Sequence, residues 1–367
     1  RNSGPAGMEA LLKLAGSEPA MAASPAFNAA LDAVCAQKDC AASHLYWYTD
    51  LDAARSEARR SGRPILSLHL LGRLDEELSC ANSRFFRIVL YANASVSQNL
   101  REHFVLHWQS ERPVPKVTID FGDGRRLVGT VTGNSIHYVL DANGRLVDAL
   151  PGLYGPAAFL RHLGDAGDEA RALAAVSGAA FAERSREYHV ERLSIQSREL
   201  KADLRQLDLG PPSANGDWTG SGFPKVRQAS DLTVSKRVVE VPLLKALLPN
   251  PEEISGARLA ALAGLHRPDA RLDAASRLLL LAKGGAWVKG DPGAVDRFEE
   301  LIAEDTVKNE YLLHNQIHSW FAKLDRIPDL NRLDEWVYSD LFLTPASDPW
   351  LGLGPTELFS VLTPAGD

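Results

Sequence analysis

The nearly continuous apolar run ILSLHLL, residues 65–71, restricts most strongly how this chain can fold. It follows TDLDAARSEARRSG, in which an Asp or Thr cap leads into helix-forming residues and Gly62 ends the helical pattern. Because Pro64 then separates the run from that helix, the run is typical of a strand buried in a sheet. The sequence therefore predicts a helix, a turn and a buried strand, as in an α/β protein.

The segments that follow continue the alternation of helices and strands. A helical pattern that begins near Ser79, a candidate N-cap, precedes a second short helix and a second strand. Two hairpins come next, and the second turns at Asn143-Gly144, the strongest short-range turn signal in the chain. A helix ends the region. The predicted elements are, in order, SCANSRFFRIVLYANASV, VSQNLREHF, FVLHW, the hairpins KVTIDFGDGRRLVGTVTG and IHYVLDANGRLVDAL, and GPAAFLRHL.

This order of elements resembles the thioredoxin-like superfamily over about residues 45–165. The likeness depends on WYTDLDAARSEARRSGRPILSLHL, on the Cys-x-x-Ser motif of Cys80 and Ser83, and on VLDANGRLVDALPGLYGPAAFLRHL. The resemblance implies that Cys80 corresponds to the family's attacking cysteine and that Ser83 replaces its resolving cysteine. The family's cis-proline falls at Ser135, which implies that Ser135 shapes the substrate groove. The hairpin of residues 116–131 is an addition to the family's minimal fold.

Two functions are consistent with this motif. In the first, a helix N-terminus stabilises the Cys80 thiolate, and the protein acts in thiol-disulfide exchange, as a monothiol oxidoreductase or isomerase, or holds a mixed disulfide. Ser83 would hydrogen-bond the sulfur, and without a resolving thiol the mixed disulfide would be long-lived. In the second, the chain is a non-catalytic binding or assembly subunit, and Cys80 is a small buried residue. An exposed thiol that iodoacetamide alkylates favours the first function, and a buried, inert one favours the second.

Residues 1–44 are rich in alanine, glycine, serine and proline and predict an N-terminal arm with one amphipathic helix, AFNAALDAVCAQ. Cys35 and Cys40, which lie close together there, either form a local disulfide, as in an exported protein, or are two independent core residues. The chain begins at Arg1, so we expect either that a targeting segment has been removed or that the chain is truncated. We therefore expect a periplasmic or otherwise exported protein, with a cytoplasmic one as the alternative.

The remainder of the chain is predicted to be helical. Residues 166–224 contain a long charged helix, from Asp165 to about Leu209, and a linker rich in proline, glycine and serine at 209–224. Residues 225–367 predict an all-α domain with an extended C-terminal tail. The expected fold is thus a thioredoxin-like α/β domain with an inserted β-hairpin, followed by a long helix and an all-α domain. The predicted helical segments of the last domain are VPLLKALL, ISGARLAALAGL, DAASRLLLLAKG, AVDRFEELIAED, NEYLLHNQIHSWFAKL and LNRLDEWVYSDLF.

One of these helical segments carries a candidate metal site. Glu310, His314 and His318 follow one another at i, i+4 and i+8, so they lie along one stripe of a helix. Two histidines at that spacing can chelate one metal ion. Alternatively, the histidines belong to the rim or the core of the packed face of the same helix. The sequence leaves both interpretations open.

A second candidate metal site lies at Cys80. His69 on the preceding strand, or His137 just after Ser135, would complete a sulfur–nitrogen site for copper or zinc. Which of them can do so depends on the face of the sheet that each histidine occupies. No organic cofactor is expected, because the chain has neither a phosphate loop nor a dinucleotide fingerprint.

Charge and hydropathy exclude several classes of partner. The net charge is −7, the pI is near 5.8, and no block of lysine and arginine offsets the acidic balance, so nucleic acid is not an expected partner. No run approaches the roughly 18–20 apolar residues that span a bilayer, although peripheral membrane association stays open. A protein partner is expected instead. Trp336, Trp350 and Phe359 either anchor that partner, as aromatic residues do at interfaces, or form the core of the helical domain.

Overall fold

The structure, a computed structural model, describes residues 4–130, 133–209, 256–284 and 290–348. Within these residues, all the strands lie in the first half of the chain, and helices dominate the rest. The strands are β1 (Ile65–Leu71), β2 (Val105–Arg112), β3 (Lys116–Asp120), β4 (Arg126–Thr130), β5 (Ser135–Leu140) and β6 (Leu146–Pro151).

Helices flank the strands and form the C-terminal part of the described chain. The α-helices are α1 (Gly4–Ser17), α2 (Pro19–Ala22), α3 (Pro25–Cys35), α4 (Cys40–Ser43), α5 (Leu51–Ser61), α6 (Ala81–Phe85), α7 (Ala94–His103), α8 (Pro156–Leu173), α9 (Gly178–Gln206), α10 (Gly256–His266), α11 (Ala274–Lys283), α12 (Ala294–Lys308), α13 (Asn315–Lys323) and α14 (Leu330–Trp336). Four continue as helices of another pitch: the π-helical turns Phe86–Leu90, Asn309–His314 and Val337–Leu341 follow α6, α12 and α14, and the 3₁₀ turn Arg267–Ala270 follows α10.

Four strands form one mixed sheet with the order β2-β1-β5-β6. The pair β1–β2 is parallel, whereas β1–β5 and β5–β6 are antiparallel. Every residue of β1 is buried, as are all those of β5 and β6. Gly144 turns the β5–β6 hairpin at a φ of +80°, a conformation that glycine adopts without steric cost. The predicted buried strand, the Asn143-Gly144 hairpin and the mixed α/β class are therefore confirmed.

A hairpin is also present where one was predicted, as a two-stranded sheet of β3 and β4. Gly122 and Gly124, at φ values of +75° and +90°, form its turn. At its other end the Thr130 hydroxyl donates a hydrogen bond to the carbonyl oxygen of Ser79, at 2.8 Å. The hairpin is thereby tied to the loop that precedes Cys80.

The two predicted helix starts differ in outcome. Helix α5 begins where expected, because the Asp50 carboxylate accepts a hydrogen bond from the Ala53 amide at 2.8 Å. The prediction of Ser79 as the cap of α6 is wrong by one residue. Cys80 has the extended backbone of a cap residue, and its sulfur accepts a hydrogen bond from the Ser83 amide at 3.3 Å. The thiol therefore takes the capping role that a serine hydroxyl usually has.

The N-terminal arm folds into the short helices α1–α4, and Cys35 and Cys40 form a disulfide within it. Ala36 and Asp39, between the two cysteines, have φ values of +52° and +62°, so the helix is broken there. That break brings the two Cα atoms to 6.3 Å. Of the two interpretations that the sequence left open, the structure has the local disulfide.

The long charged helix predicted from Asp165 to Leu209 is two helices. Helix α8 ends at Leu173 and α9 begins at Gly178, whose φ is +61°. Arg145, at the turn into β6, donates hydrogen bonds to the carbonyl oxygens of Leu173 and Val176 and lies 4.0 Å from the Phe181 ring centre. A side chain from the β5–β6 turn thus takes the role of a continued helix by donating to the carbonyl groups that the break leaves free.

The sheet and the C-terminal helices share one hydrophobic core, which extends from Ala36 to Phe342. A smaller cluster around Phe27 and Cys35 lies under the N-terminal arm. The boundary predicted at 209–224 lies, beyond its first residue, outside the described residues, as do VPLLKALL and the tail with Trp350 and Phe359. None of the helices that the structure describes is both long and apolar enough to cross a membrane.

Candidate functional site

Cys80 and Ser83 lie at the start of α6, in the segment that follows the central strand β1. Neither side chain is exposed to solvent. The Cys80 sulfur caps the helix, and the Ser83 hydroxyl donates to the carbonyl oxygen of Arg73 at 3.5 Å. It is therefore the amide of Ser83, not its hydroxyl, that contacts the sulfur.

Ser135 lies next to this helix start, at the first position of β5 and opposite Leu70 in the sheet. The Asn82 side-chain amide donates a hydrogen bond to the Ser135 hydroxyl at 2.7 Å, and both residues are buried. This hydrogen bond places Ser135 beside the first turn of the helix that Cys80 caps. Asn82, which makes the link, was missed, because an asparagine in the first turn of a helix gives no local sign of a partner 53 residues away.

The acidic loop before Cys80 is held by basic side chains. The guanidinium group of Arg73 lies 2.8 Å from Asp75 and 3.4 Å from Glu76, and the Lys283 amine lies 4.0 Å from Glu77. These ion pairs offset the negative charge that the sequence places ahead of the thiol.

The two histidines proposed as partners of Cys80 lie on opposite faces of the sheet. His137 pairs with Leu68, and His69 is the next residue of β1, so their side chains point in opposite directions. His137 Nε2 and the Tyr91 hydroxyl form a hydrogen bond of 2.7 Å. Burial lowers the pKa of His137 to about 3. Within the described chain, neither histidine joins Cys80 in a cluster of three metal-binding side chains.

His69 instead lies between two carboxylates. Its Nδ1 is 2.8 Å from Glu111 Oε1 and 3.0 Å from Asp334 Oδ1, and the Tyr138 hydroxyl donates to the same Asp334 oxygen at 2.7 Å. Burial alone would lower the pKa of His69, but its hydrogen bonds to Asp334 and Glu111 outweigh burial and raise the pKa to about 9. His69 is thus an imidazolium at neutral pH. No local pattern in the sequence indicates this group, because Asp334 is 265 residues away.

The three predicted metal ligands of the C-terminal part do not converge on one point. Glu310 lies 3.5 Å from His162 and 3.6 Å from Arg161, whereas His314 Nε2 lies 3.0 Å from Asp148. The expected stripe assumed a regular α-helix. Residues Asn309–His314 form a wider π-helical turn, which changes the direction in which each side chain leaves the axis.

A different set does converge. Asp148 on β6, His189 on α9 and His318 on α13 place one oxygen and two nitrogens within 4.8 Å of one another, and all three side chains are buried. The Nδ1 atoms of His189 and His318 are 2.8 Å apart, and His318 Nδ1 is 3.9 Å from Asp148 Oδ1. Of these residues only His318 was predicted, because the other two come from elements that are separate in the sequence.

The ionisation states in this cluster follow from burial and from neighbouring charges. Burial opposes ionisation of Asp148, but the His314 and His318 rings outweigh it and hold the pKa of that carboxyl well below its usual range. Burial lowers the pKa of His189 to about 4. Burial, then the charge of His314, also holds the pKa of His318 well below its usual range. Burial therefore disfavours the charged form of both imidazoles, while the neighbouring rings favour the ionised form of the Asp148 carboxyl.

In comparisons with known proteins, no protein-family model, curated protein or solved structure matches the chain. The inferences about function below therefore depend on the arrangement of residues described above.

Proposed function

We propose that residues 45–165 form a thioredoxin-like domain that acts as a non-catalytic binding or assembly subunit. The observation that carries this proposal is the complete burial of the Cys80 thiol, which serves as a helix cap. Monothiol exchange through Cys80, the other function that the sequence suggests, requires the sulfur to reach an incoming disulfide.

The thioredoxin-like part of the proposal is supported by the connectivity of the sheet. A central strand pairs in parallel with the next strand of its sheet and antiparallel with the first strand of a C-terminal hairpin. The Cys-x-x-Ser motif begins the helix after that central strand, and Ser135 lies beside it through Asn82. This is the arrangement that the sequence resemblance implies.

The non-catalytic part is supported by the surroundings of the sulfur. Reactive cysteines lie in partly exposed, electropositive surroundings, since the thiolate is the nucleophile. Cys80 has no exposed surface, and Tyr338, from the π-helical turn after α14, is close enough to interact with it electrostatically. Burial first, and then the charges at Asp334 and Glu111, raise the pKa of Tyr338 well above its usual range, so its phenol stays neutral.

A binding role also needs a surface, and the β3–β4 hairpin offers one. Phe121 and Val128 on this hairpin are 55% and 45% exposed. Aromatic and aliphatic side chains at such a position favour contact with a protein partner. The Cys35–Cys40 disulfide supports the further proposal that the protein works in an oxidising compartment, such as the periplasm.

The test is alkylation of the native protein with iodoacetamide, without reductant, followed by mass spectrometry. The chain has three cysteines and two of them form the disulfide, so any label reports on Cys80. We expect no label in the native protein and one label per chain in urea. The control is the variant Ser95→Cys, at an exposed position of α7, which should be labelled in the native protein. Rapid native labelling of Cys80 would contradict the proposal and favour monothiol exchange.

A further inference from the structure

Two clusters in the described part of the chain, one of them fully buried, bring three metal-binding side chains within 4.8 Å. One consists of His69, Glu111 and Asp334. The other consists of Asp148, His189 and His318. The two clusters differ in what already occupies the space between their donor atoms.

In the first cluster the carboxylates already share a hydrogen-bond donor, Nδ1 of His69. The protonated Nδ1 of His69 is shared between the Glu111 and Asp334 carboxylates, at 2.8 and 3.0 Å. The ligand atom that a metal ion would need is therefore bonded to hydrogen, and the positive charge of the ring already compensates a carboxylate. We infer no metal ion there.

In the second cluster no carboxylate oxygen is this close to the His318 ring: Asp148 Oδ1 lies 3.9 Å from His318 Nδ1. Nδ1 of His189 faces Nδ1 of His318 at 2.8 Å, a separation with room for only one proton, so at least one of the two nitrogens presents a lone pair.

Further hydrogen bonds fix the direction of the carboxylate. The Tyr188 hydroxyl donates to Asp148 Oδ2 at 2.7 Å, and the Ala149 amide donates to Oδ1 at 2.7 Å. His314 Nε2 lies 3.0 Å from the same Oδ1. Ligating carboxylates in metal sites are held by hydrogen bonds of this kind.

We propose that Asp148, His189 and His318 bind one divalent first-row transition metal ion, through a carboxylate oxygen of Asp148 and the Nδ1 atoms of the two histidines. Bonds of about 2.0–2.1 Å in a tetrahedral site separate ligand atoms by roughly 3.4 Å. The His189–His318 and His318–Asp148 distances of 2.8 Å and 3.9 Å need shifts of roughly half an ångström to reach it, and the third pair, His189 and Asp148, lies within 4.8 Å. The set leaves a coordination position for water, and two imidazoles with one carboxylate suit Zn²⁺ or Fe²⁺. This inference goes beyond the binding role proposed above and does not depend on the state of Cys80.

The first test is titration of the untagged, chelator-treated full chain with Co²⁺, followed by visible absorption. We expect d–d bands that saturate at one Co²⁺ per chain and disappear when Zn²⁺ is added. Binding at Cys80 instead would produce a sulfur-to-cobalt charge-transfer band in the near ultraviolet, and the variant Cys80→Ala would abolish it. No visible bands with the wild-type chain, or bands that need Cys80, would overturn the proposal.

The second test compares ligand variants with matched controls in the same buried region. His189→Gln, His318→Gln and Asp148→Asn should each weaken Zn²⁺ binding by more than the roughly 10–100-fold that loss of a hydrogen-bond partner of a ligand costs. His162→Gln and Glu310→Gln, at equally buried positions beside the cluster, should keep one tightly bound Zn²⁺ per chain. Equal losses in both groups would contradict the assignment. Circular dichroism identifies any variant that does not fold. If a variant is lost in this way, the Co²⁺ titration of the wild-type chain still tests the proposal.

Discussion

At the scale of single residues, His69 is the group whose charge depends most on the fold. An isolated histidine is mostly neutral at pH 7.5, but Glu111 and Asp334 raise the pKa of His69 to about 9 although the ring is buried. The same charge helps to lower the pKa of His107, whose main cause is burial, to about 3. Two histidines 6.5 Å apart between ring centres are therefore held in opposite states.

This arrangement predicts a dependence of stability on pH. A histidine whose folded pKa is raised stabilises the fold fully below its unfolded pKa, near 6.5, and that contribution is lost as pH rises through about 9. At 1.36 kcal/mol per pKa unit, His69 contributes about 3 kcal/mol. We expect the variant Asp334→Asn, which removes one carboxylate, to lose about half as much free energy of unfolding between pH 6.5 and 9.5 as the wild type. Urea unfolding at the two pH values measures the difference.

The control for this prediction is His103→Gln, at an exposed histidine on α7, which should keep the full wild-type dependence on pH. His69→Gln should remove the His69 contribution entirely. An equal loss of stability with pH in the wild type and in Asp334→Asn would show that His69 is not an imidazolium between the two carboxylates.

At the scale of elements, α8 is held against the C-terminal helices by a close approach at its first turn. Gly155 precedes α8, and its amide donates to the Thr306 hydroxyl at 2.8 Å. A Cβ at this position would lie 2.3 Å from the carbonyl oxygen of Asp269 and 2.7 Å from the Cα of Ala270. Both contacts are with backbone atoms, which cannot move aside as a flexible side chain can.

We therefore expect Gly155→Ala to destabilise the protein by about 3 kcal/mol or more, because the 3₁₀ turn Arg267–Ala270 must move away from α8. The matched control is Gly164→Ala in the same helix, where a Cβ meets no atom within 4 Å. That change should stabilise the protein by about 0.5–1 kcal/mol through helix propensity. Thermal or urea unfolding of both variants tests the pair, and similar effects of the two substitutions would contradict the packing described for Gly155.

At the scale of the whole molecule, one hydrophobic core joins the sheet to the C-terminal helices. Leu68 in β1 and Leu333 in α14 both belong to it, and both are completely buried. The separate domains predicted for residues 45–165 and 225–367 stay a prediction, since the segment between them lies largely outside the described residues. The shared core nevertheless predicts how the two parts unfold.

We expect a single cooperative unfolding transition in urea, with the same midpoint by far-ultraviolet circular dichroism and by tryptophan fluorescence. Leu68→Ala and Leu333→Ala should each lower the free energy of that one transition by about 2–5 kcal/mol. Leu278→Ala, at a leucine that is 69% exposed, should have almost no effect. Two transitions, of which Leu333→Ala shifts only one, would show that the helical part unfolds independently.

Those parts of the structure that depend on neighbouring residues were predictable from the sequence. The cap at Asp50, the helix end at Gly62, the buried strand ILSLHLL and the turn at Asn143-Gly144 are all in place. Each is fixed by contacts within a few residues, by a φ that glycine allows, or by apolar side chains that must leave water. The place of Ser135 beside the helix that Cys80 caps was expected from a resemblance rather than from local pattern.

Tertiary structure alone decided the rest. The sequence did not indicate that Arg145 would satisfy the end of α8, that a π-helical turn would separate Glu310 from His314, or that His318 would meet Asp148 and His189. Residues that are far apart in the sequence meet in the two clusters of metal-binding side chains; His69 and Asp334, for example, are 265 positions apart. Local propensity cannot specify such contacts, because their free energy arises only after the chain has buried those groups together and removed the water that would otherwise solvate each of them.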